Sequence, residues 1–204
     1  VLYCFVFFFC QGEDGIRDLV RSRGLGDVYK RQAKDSSAIE NIITSHDELF
    51  KQELDIPQFN NAAAKEVGRY SEALKLGFTR VKTKGKLTLD DLVAIQAVLV
   101  IGEPGPGIRT RPGTIVGNSV TREVIYTPPQ DYDQIVELLE RLLIFFNEDI
   151  NGGLDPLVRM TLIHYQFEKI HPFYDGNGRT GRILNLLYLV QHLSLIHISE
   201  PTRP

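Results

Sequence analysis

The residues best equipped for chemistry lie in one short segment, HPFYDGNGRTGR, residues 171–182. His171 titrates near neutral pH and can take a proton from an attacking hydroxyl. Asp175 offers a carboxylate, and Mg²⁺ commonly binds through one or two carboxylates plus substrate phosphates. Gly176, Asn177 and Gly178 let backbone N–H groups converge, and a helix starting there adds its positive N-terminal end, which together make a nest for phosphate. Arg179 and Arg182 stand one helical turn apart and share a face. Guanidinium is the group suited to bidentate phosphate contacts. Thr180 and Gly181 lie between them and are counted with the nucleotide-binding residues. Each feature also has a plain reading: a turn, a packed histidine, a solvated pair of arginines, an aspartate in turn chemistry. Their conjunction and order favour a Mg-nucleotide site with a base beside it.

The elements that must position this segment are mainly helical. Asp35-Ser36-Ser37 before Ala38-Ile39-Glu40 reads as a helix start, with Ile39, Ile42, Ile43, Leu49 and Phe50 on one face. A second helix is expected from about Asn60 to Leu76, and Thr88 caps a third through Leu92 and Gln96. Residues 102–113 are rich in glycine and proline and read as loop. Thr114-Ile115-Val116 and Glu123-Val124-Ile125-Tyr126 flank Gly117-Asn118-Ser119 as a hairpin, closed by Pro128-Pro129. A long amphipathic helix follows from about Asp131. Asp155-Pro156 caps another that runs toward Ile170, with proline at its first position. The last starts near Asn177 and is expected to end about Val190. The sum is an all-α helical bundle with one protruding β-hairpin.

Residues 171–182 resemble the defining motif of Fic proteins, His-Pro-Phe-x-Asp-Gly-Asn-Gly-Arg-x-x-Arg, at every fixed position. The resemblance extends from about Ser36 to Val190. It implies the Fic-type fold and adenylylation, the transfer of AMP from ATP to a Ser, Thr or Tyr hydroxyl. His171 would be the base, Phe173 the anchor of the loop and Asp175 the Mg²⁺ carboxylate. Gly176, Asn177 and Gly178 would bind the α- and β-phosphates, Arg179 would stabilise them and Arg182 would hold the γ-phosphate. The hairpin, with Thr114, Ile115 and Val116, would be a flap that docks an extended target segment by strand addition.

Ser36-Ser37-Ala38-Ile39-Glu40-Asn41 is similar to the inhibitory motif of Fic proteins, in which the glutamate, here Glu40, occupies the second motif arginine, here Arg182. Ser37 to Glu40 also fits a capping box, which needs no partner elsewhere. Three alternatives stay open: a phosphotransferase like the related Doc proteins, removal of AMP by the same site, and a nucleotide-binding interaction module without turnover. Lysine usual in Doc motifs is replaced here by Gly178, which favours adenylylation.

Composition limits the partners. The chain has 204 residues, 43% apolar and 24% charged, which is ordinary for a globular protein. A net charge of -3 recommends neither nucleic acid nor an anionic membrane. The expected partners are ATP and a target protein or the chain itself, and the oligomeric state stays open. Cys4 and Cys10 form no metal spacing or disulfide framework, and a cytoplasmic compartment is expected.

The ends differ from the middle. DLVRSRGLGDVYKRQ, residues 18–32, resembles a translated sequencing-library adapter, and LSLIHISEPTRP, residues 193–204, resembles another. Residues 1–32 and 193–204 are therefore expected to be foreign, and residues 11–32 irregular. A helical region with the inhibitory segment is expected over 33–87 and a Fic core over 88–192, cut short before the helices that would complete the adenine side.

Overall fold

The computed structural model describes residues 25–39, 62–102, 105–118, 121, 123–148 and 153–198. The chain divides into two compact units, Val1–Ser71 and Glu72–Pro204. Among the described residues there are six helices and one two-stranded sheet, so the expected all-α class with a hairpin is what the chain adopts.

The first helix, α1, spans Leu25–Ala38. Residues 25–32 are thus helical, contrary to the irregular chain expected there. Asp35, Ser36 and Ser37 occupy the last turn of α1 instead of heading a helix at Ala38. Ser36 and Ser37 are buried, whereas Ile39, expected on an apolar face, is 60% exposed. Among the α1 residues whose burial is described, 32–38, the buried ones are Ala33, Ser36 and Ser37. These are spaced as one helical face but are too small or polar to register as apolar periodicity. Glu40 and the expected face from Ile42 to Phe50 lie outside the described residues. The second helix, α2, spans Ala62–Lys84.

Within the second unit, Thr88 caps α3, Leu89–Leu99, as expected. Its side chain accepts from the Asp91 N–H at 3.3 Å, and the Asp91 carboxylate accepts from the Thr88 N–H at 3.2 Å. That reciprocal pair satisfies donors a helix start leaves orphaned. Asp91 is fully buried and also bonds Arg80 and Lys84 of α2 at 2.7 Å each. Burial raises the Asp91 carboxyl, but the bonds from Lys84, Thr88 and Arg80 outweigh it and hold it well below the usual carboxylate range.

Helix α4 spans Tyr132–Asn147 and buries Ile135, Leu139, Leu142, Leu143 and Phe146, the stripe its amphipathic pattern predicts. At its end the Asn147 amide bonds both backbone groups of Leu87, at 2.8 and 2.7 Å. Helix α5, Pro156–Ile170, begins as predicted, with the Asp155 side chain accepting from the Leu157 N–H at 2.8 Å. Helix α6 spans Asn177–Ile198 and so runs past the end expected near Val190.

The core forms where α5 packs on α6 and α4, and where α3 packs on α6 and α4. Ile163, Phe167, Ile170, Ile183, Leu184 and Leu187 are buried there, and the Phe146 ring meets Tyr188 edge-on at 5.5 Å. Gly181 permits the close approach of α5 and α6: a Cβ there would lie 2.9 Å from the Glu168 Oε1 and 3.2 Å from His164. Strands β1, Val116–Gly117, and β2, Val124–Tyr126, pair antiparallel with a bulge between Val116 and Gly117. Ile115, Val124 and Ile125 of this hairpin are exposed.

Candidate active site

His171 sits where α5 ends. It is the C-cap, in the left-handed conformation (φ 47°, ψ 59°), with its N–H bonded to the Phe167 carbonyl at 3.0 Å. It is the one non-glycine residue with positive φ among the described residues. A bulky residue held there costs free energy, so the surroundings must enforce it. The enforcement is visible on both sides. Pro172 and Phe173 follow as buried residues, and the Phe173 ring lies 6.2 Å from Phe167. Phe173 also forms an isolated antiparallel bridge with Ile108.

The loop then turns into α6. Gly176 has φ +80°, and a Cβ on it would come within 3.1 Å of the Val100 Cγ2. The Asn177 side chain accepts from the Phe173 N–H at 2.9 Å and donates to the Phe173 carbonyl at 2.8 Å. Its amide therefore builds the loop from within. The Thr180 N–H bonds the Gly176 carbonyl at 2.9 Å, closing the first helical turn.

Asp175 and Arg179 face each other across that turn. The Arg179 Nη2 is 3.2 and 3.1 Å from the two carboxylate oxygens, and the Gly176 N–H donates to Oδ1 at 2.6 Å. Arg179 is buried, while the Asp175 side chain is 59% exposed. Arg182 is half-buried on the next turn. Gly178 is half-buried, and Thr180 and Gly181 are buried, Gly181 against His164 and Glu168 of α5. The structure thus gathers His171, Phe173, Asp175, Gly176, Asn177, Gly178, Arg179 and Arg182 on one loop and the first turns of one helix. Thr114, Ile115 and Val116 stand on the hairpin, and Glu40 is outside the described residues.

Two side chains that sequence reasoning missed hold this loop. Gln96 of α3 donates to the Asp175 carbonyl at 3.1 Å and accepts from the Gly107 N–H at 3.0 Å. Arg109, 1% exposed, donates from Nε to the His171 carbonyl at 2.8 Å. Its other bonds run to the carbonyls of Pro129 and Ile170. Farther out, the Tyr174 hydroxyl accepts from the N–H groups of Thr110 and Arg111, at 3.0 and 2.8 Å. Lys169 of α5 lies 3.8 Å above the Tyr126 ring of β2, a cation–π contact between α5 and the hairpin.

Electrostatics favour the neutral form of the His171 ring. Burial lowers its pKa below the usual 6.5, and the Arg109 charge lowers it further, against a hydrogen bond to the Glu168 backbone. A neutral imidazole is the form that can accept a proton. Among the described residues no cluster of three or more His, Cys, Asp or Glu gathers to hold a metal. A single exposed carboxylate, Asp175, still fits Mg²⁺, which takes most of its ligands from phosphate and water.

The Fic/DOC family model matches residues 86–189, just over half of the chain, and the Fic/DOC N-terminal model matches residues 25–79. The chain belongs to the Fic/DOC family. The N-terminal Fic match takes in residues 25–32, which the adapter resemblance assigns to a foreign leader. Among curated proteins, the Fic domain is similar to protein adenylyltransferase fic-1 of Caenorhabditis elegans, 28% identical over 110 residues, covering 53% of this chain and 20% of that protein. Protein adenylyltransferase Fic of Drosophila willistoni is 32% identical over 105 residues, covering 50% and 19%. The chain therefore spans about a fifth of the length of these relatives.

Solved structures agree on the fold. A Fic domain-containing signaling protein from Bacteroides thetaiotaomicron superposes with a TM-score of 0.67 at 22% identity, over 81% of this chain and 63% of that one. Fic-1 from C. elegans gives 0.64 at 24% identity, over 87% and 53%. No helix among the described residues is long and apolar enough to cross a membrane.

Proposed function

We propose that this Fic domain transfers AMP from ATP to a hydroxyl side chain of a protein, either a separate target or the chain itself. One observation carries the reading: His171 at the end of α5 shares its loop with the turn at Gly176, Asn177 and Gly178 that opens α6, an exposed carboxylate and a buried arginine. The family match and the naming of the curated relatives as adenylyltransferases support it.

In this reading the imidazole of His171 takes the proton as the hydroxyl oxygen attacks the α-phosphorus. The new O–P bond forms as the bond to pyrophosphate breaks, and pyrophosphate leaves. The backbone around Gly176, Asn177 and Gly178, with Arg179 and Arg182, receives the phosphates and neutralises the charge that develops. Asp175 would hold Mg²⁺, which when bound neutralises phosphate charge. Thr180 and Gly181 act by packing the start of α6. The edge around Thr114, Ile115 and Val116 docks the target. Glu40 acts on Arg182 as an inhibitor of γ-phosphate seating.

ATP labelled at the α- or the γ-position, offered with candidate proteins, tests this. Label transferred from the α-position supports AMP transfer. Transfer from the γ-position means phosphorylation, and transfer from neither means a nucleotide-binding module.

A further inference from the structure

We infer that Arg109 is a positioning residue for His171, fastening the turn that carries the base to both stems of the flap through one guanidinium. The inference rests on the proposed AMP transfer only for its kinetic consequence; its structural part concerns the His171 turn itself.

Arg109 lies in the glycine- and proline-rich stretch that leads into the hairpin, and Pro129 lies just beyond the hairpin's second strand. The Arg109 side chain reaches the Pro129 carbonyl, so the two stems of the flap are clasped together. The same guanidinium donates to the His171 carbonyl at 2.8 Å and lies 3.5 Å from the Ile170 carbonyl. Its backbone N–H donates to the Pro172 carbonyl at 2.9 Å, and Ile108 bridges Phe173. Three successive residues of the base-bearing turn are therefore tied to one residue of the flap stem.

The chemistry of that turn explains why an arginine is needed. A helix end leaves its last carbonyls without partners and carries partial negative charge. At α5 the chain departs in the left-handed conformation at His171, a residue that gains nothing intrinsically from it. A cation buried at that end satisfies the carbonyls and stabilises the departure. Lysine could neutralise the charge, but its point-like ammonium lacks a planar fork that meets Pro129 and His171 at once. All hydrogen bonds of the Arg109 side chain among the described residues run to backbone carbonyls. No side chain can replace those acceptors, so the contact acts on main-chain geometry. Of the contacts between the flap and this turn, this guanidinium is the one that bonds the His171 carbonyl itself, so the direction of the imidazole depends on it. In contrast, the phosphate-facing groups are held separately, by Asn177, Gln96 and the Asp175–Arg179 pair.

The experiment compares the full chain with Arg109→Lys and, as a control for the reaction, His171→Ala. The Lys variant is expected to bind Mg-ATP as the unaltered chain does, while its maximal rate of AMP transfer falls about 10²-fold, the scale set by a misplaced reacting group. Its His171 ring signals in NMR spectra are expected to shift while the methyl signals of Leu92, Ile95 and Ile163 stay in place. Unchanged turnover overturns the assignment, as does a loss of Mg-ATP binding equal to the loss of rate. If the unaltered chain transfers nothing, or His171→Ala transfers normally, the proposed activity fails, and the NMR comparison alone decides about Arg109. Unshifted His171 ring signals then overturn it. Should Arg109→Lys not fold, the unaltered chain still gives an answer: the Arg109 Nε–H is expected to resist solvent exchange, and exchange as fast as that of an exposed arginine overturns the proposal.

Discussion

The Asn177 side-chain amide pairs with both backbone groups of Phe173, as a neighbouring strand would, at 2.9 and 2.8 Å. Both residues are buried, so removing the amide would strand a donor and an acceptor away from water. Each such group costs about 1–3 kcal/mol. Asn177→Ala is expected to lower unfolding free energy by about 2 kcal/mol or more, measured by urea denaturation, with Asn177→Asp intermediate because it keeps the acceptor. A change within about 0.5 kcal/mol for the alanine variant, the range of ordinary surface substitutions, would contradict this account of the loop.

In the proposed reaction the pH dependence of transfer follows from His171. Its folded pKa is lowered below 6.5 by burial and by Arg109, so the neutral base persists to lower pH than a free imidazole. The acid limb of the rate profile is expected below pH 6.5, and His171→Ala should remove roughly 10²–10⁴-fold of the rate. The same shift makes protonation oppose folding: the stability contribution is present above the unfolded pKa and is lost as pH falls through the folded one. An acid limb at or above the ordinary value would mean that another group titrates.

Gly176 combines φ +80° with a Val100 methyl 3.1 Å from where a Cβ would stand. Gly176→Ala is expected to cost about 1–2 kcal/mol from backbone strain alone, and the nest should bind Mg-ATP more weakly. Thermal melting and nucleotide titration check the two parts. An alanine variant that matches the unaltered chain in both would show that the turn does not need glycine.

Asp91 predicts an acid-labile contribution at a distance from the site. Its carboxyl is held well below 3.8, so the stability it confers is present above that value and is lost as pH falls below it. The side chains of Arg80 and Lys84 remain partly exposed, 32% and 45%, so removing Asp91 leaves no buried uncompensated charge. The cost of Asp91→Ala should therefore follow the lost cap, about 0.5–2 kcal/mol, and not the larger penalty of a broken buried pair. Asp91→Asn is expected to flatten the fall in stability below pH 4. Unchanged acid sensitivity in that variant would count against the carboxylate as its source.

Glu40 offers a regulatory test. If it acts by occupying Arg182, Glu40→Gly should raise AMP transfer, and removing Arg182 in the same chain should erase the gain. Lower or unchanged transfer in a folded Glu40→Gly variant would reject inhibition.

What could be read from the sequence follows from how local the signal is. Thr88, Asp155-Pro156 and the apolar stripe of α4 act within one turn or one face, and their elements form where expected. The motif loop was legible for the same reason, because glycines, aspartate and arginines adjacent in sequence also meet in space. Helix α1 was not: in its described second half the buried residues are Ala33, Ser36 and Ser37, which carry no apolar pattern. Arg109 and Gln96 were missed because their acceptors lie far along the chain, at His171 and Asp175. Nothing next to an arginine in a glycine-rich loop, or a glutamine in a helix, announces partners so remote in sequence.

The hairpin stem carries one more feature with a consequence for docking. The Gln130 amide accepts from the Gly113 N–H at 2.7 Å and donates to the Thr114 carbonyl at 3.0 Å. Those two groups are already engaged, so in the proposed docking an added strand would register only from Ile115 outward. Gln130 thereby works as the zero mark of a ruler. Under the proposed docking by strand addition, a target segment would be measured from that fixed point on the stem, and its length from the mark would determine which hydroxyl arrives at His171.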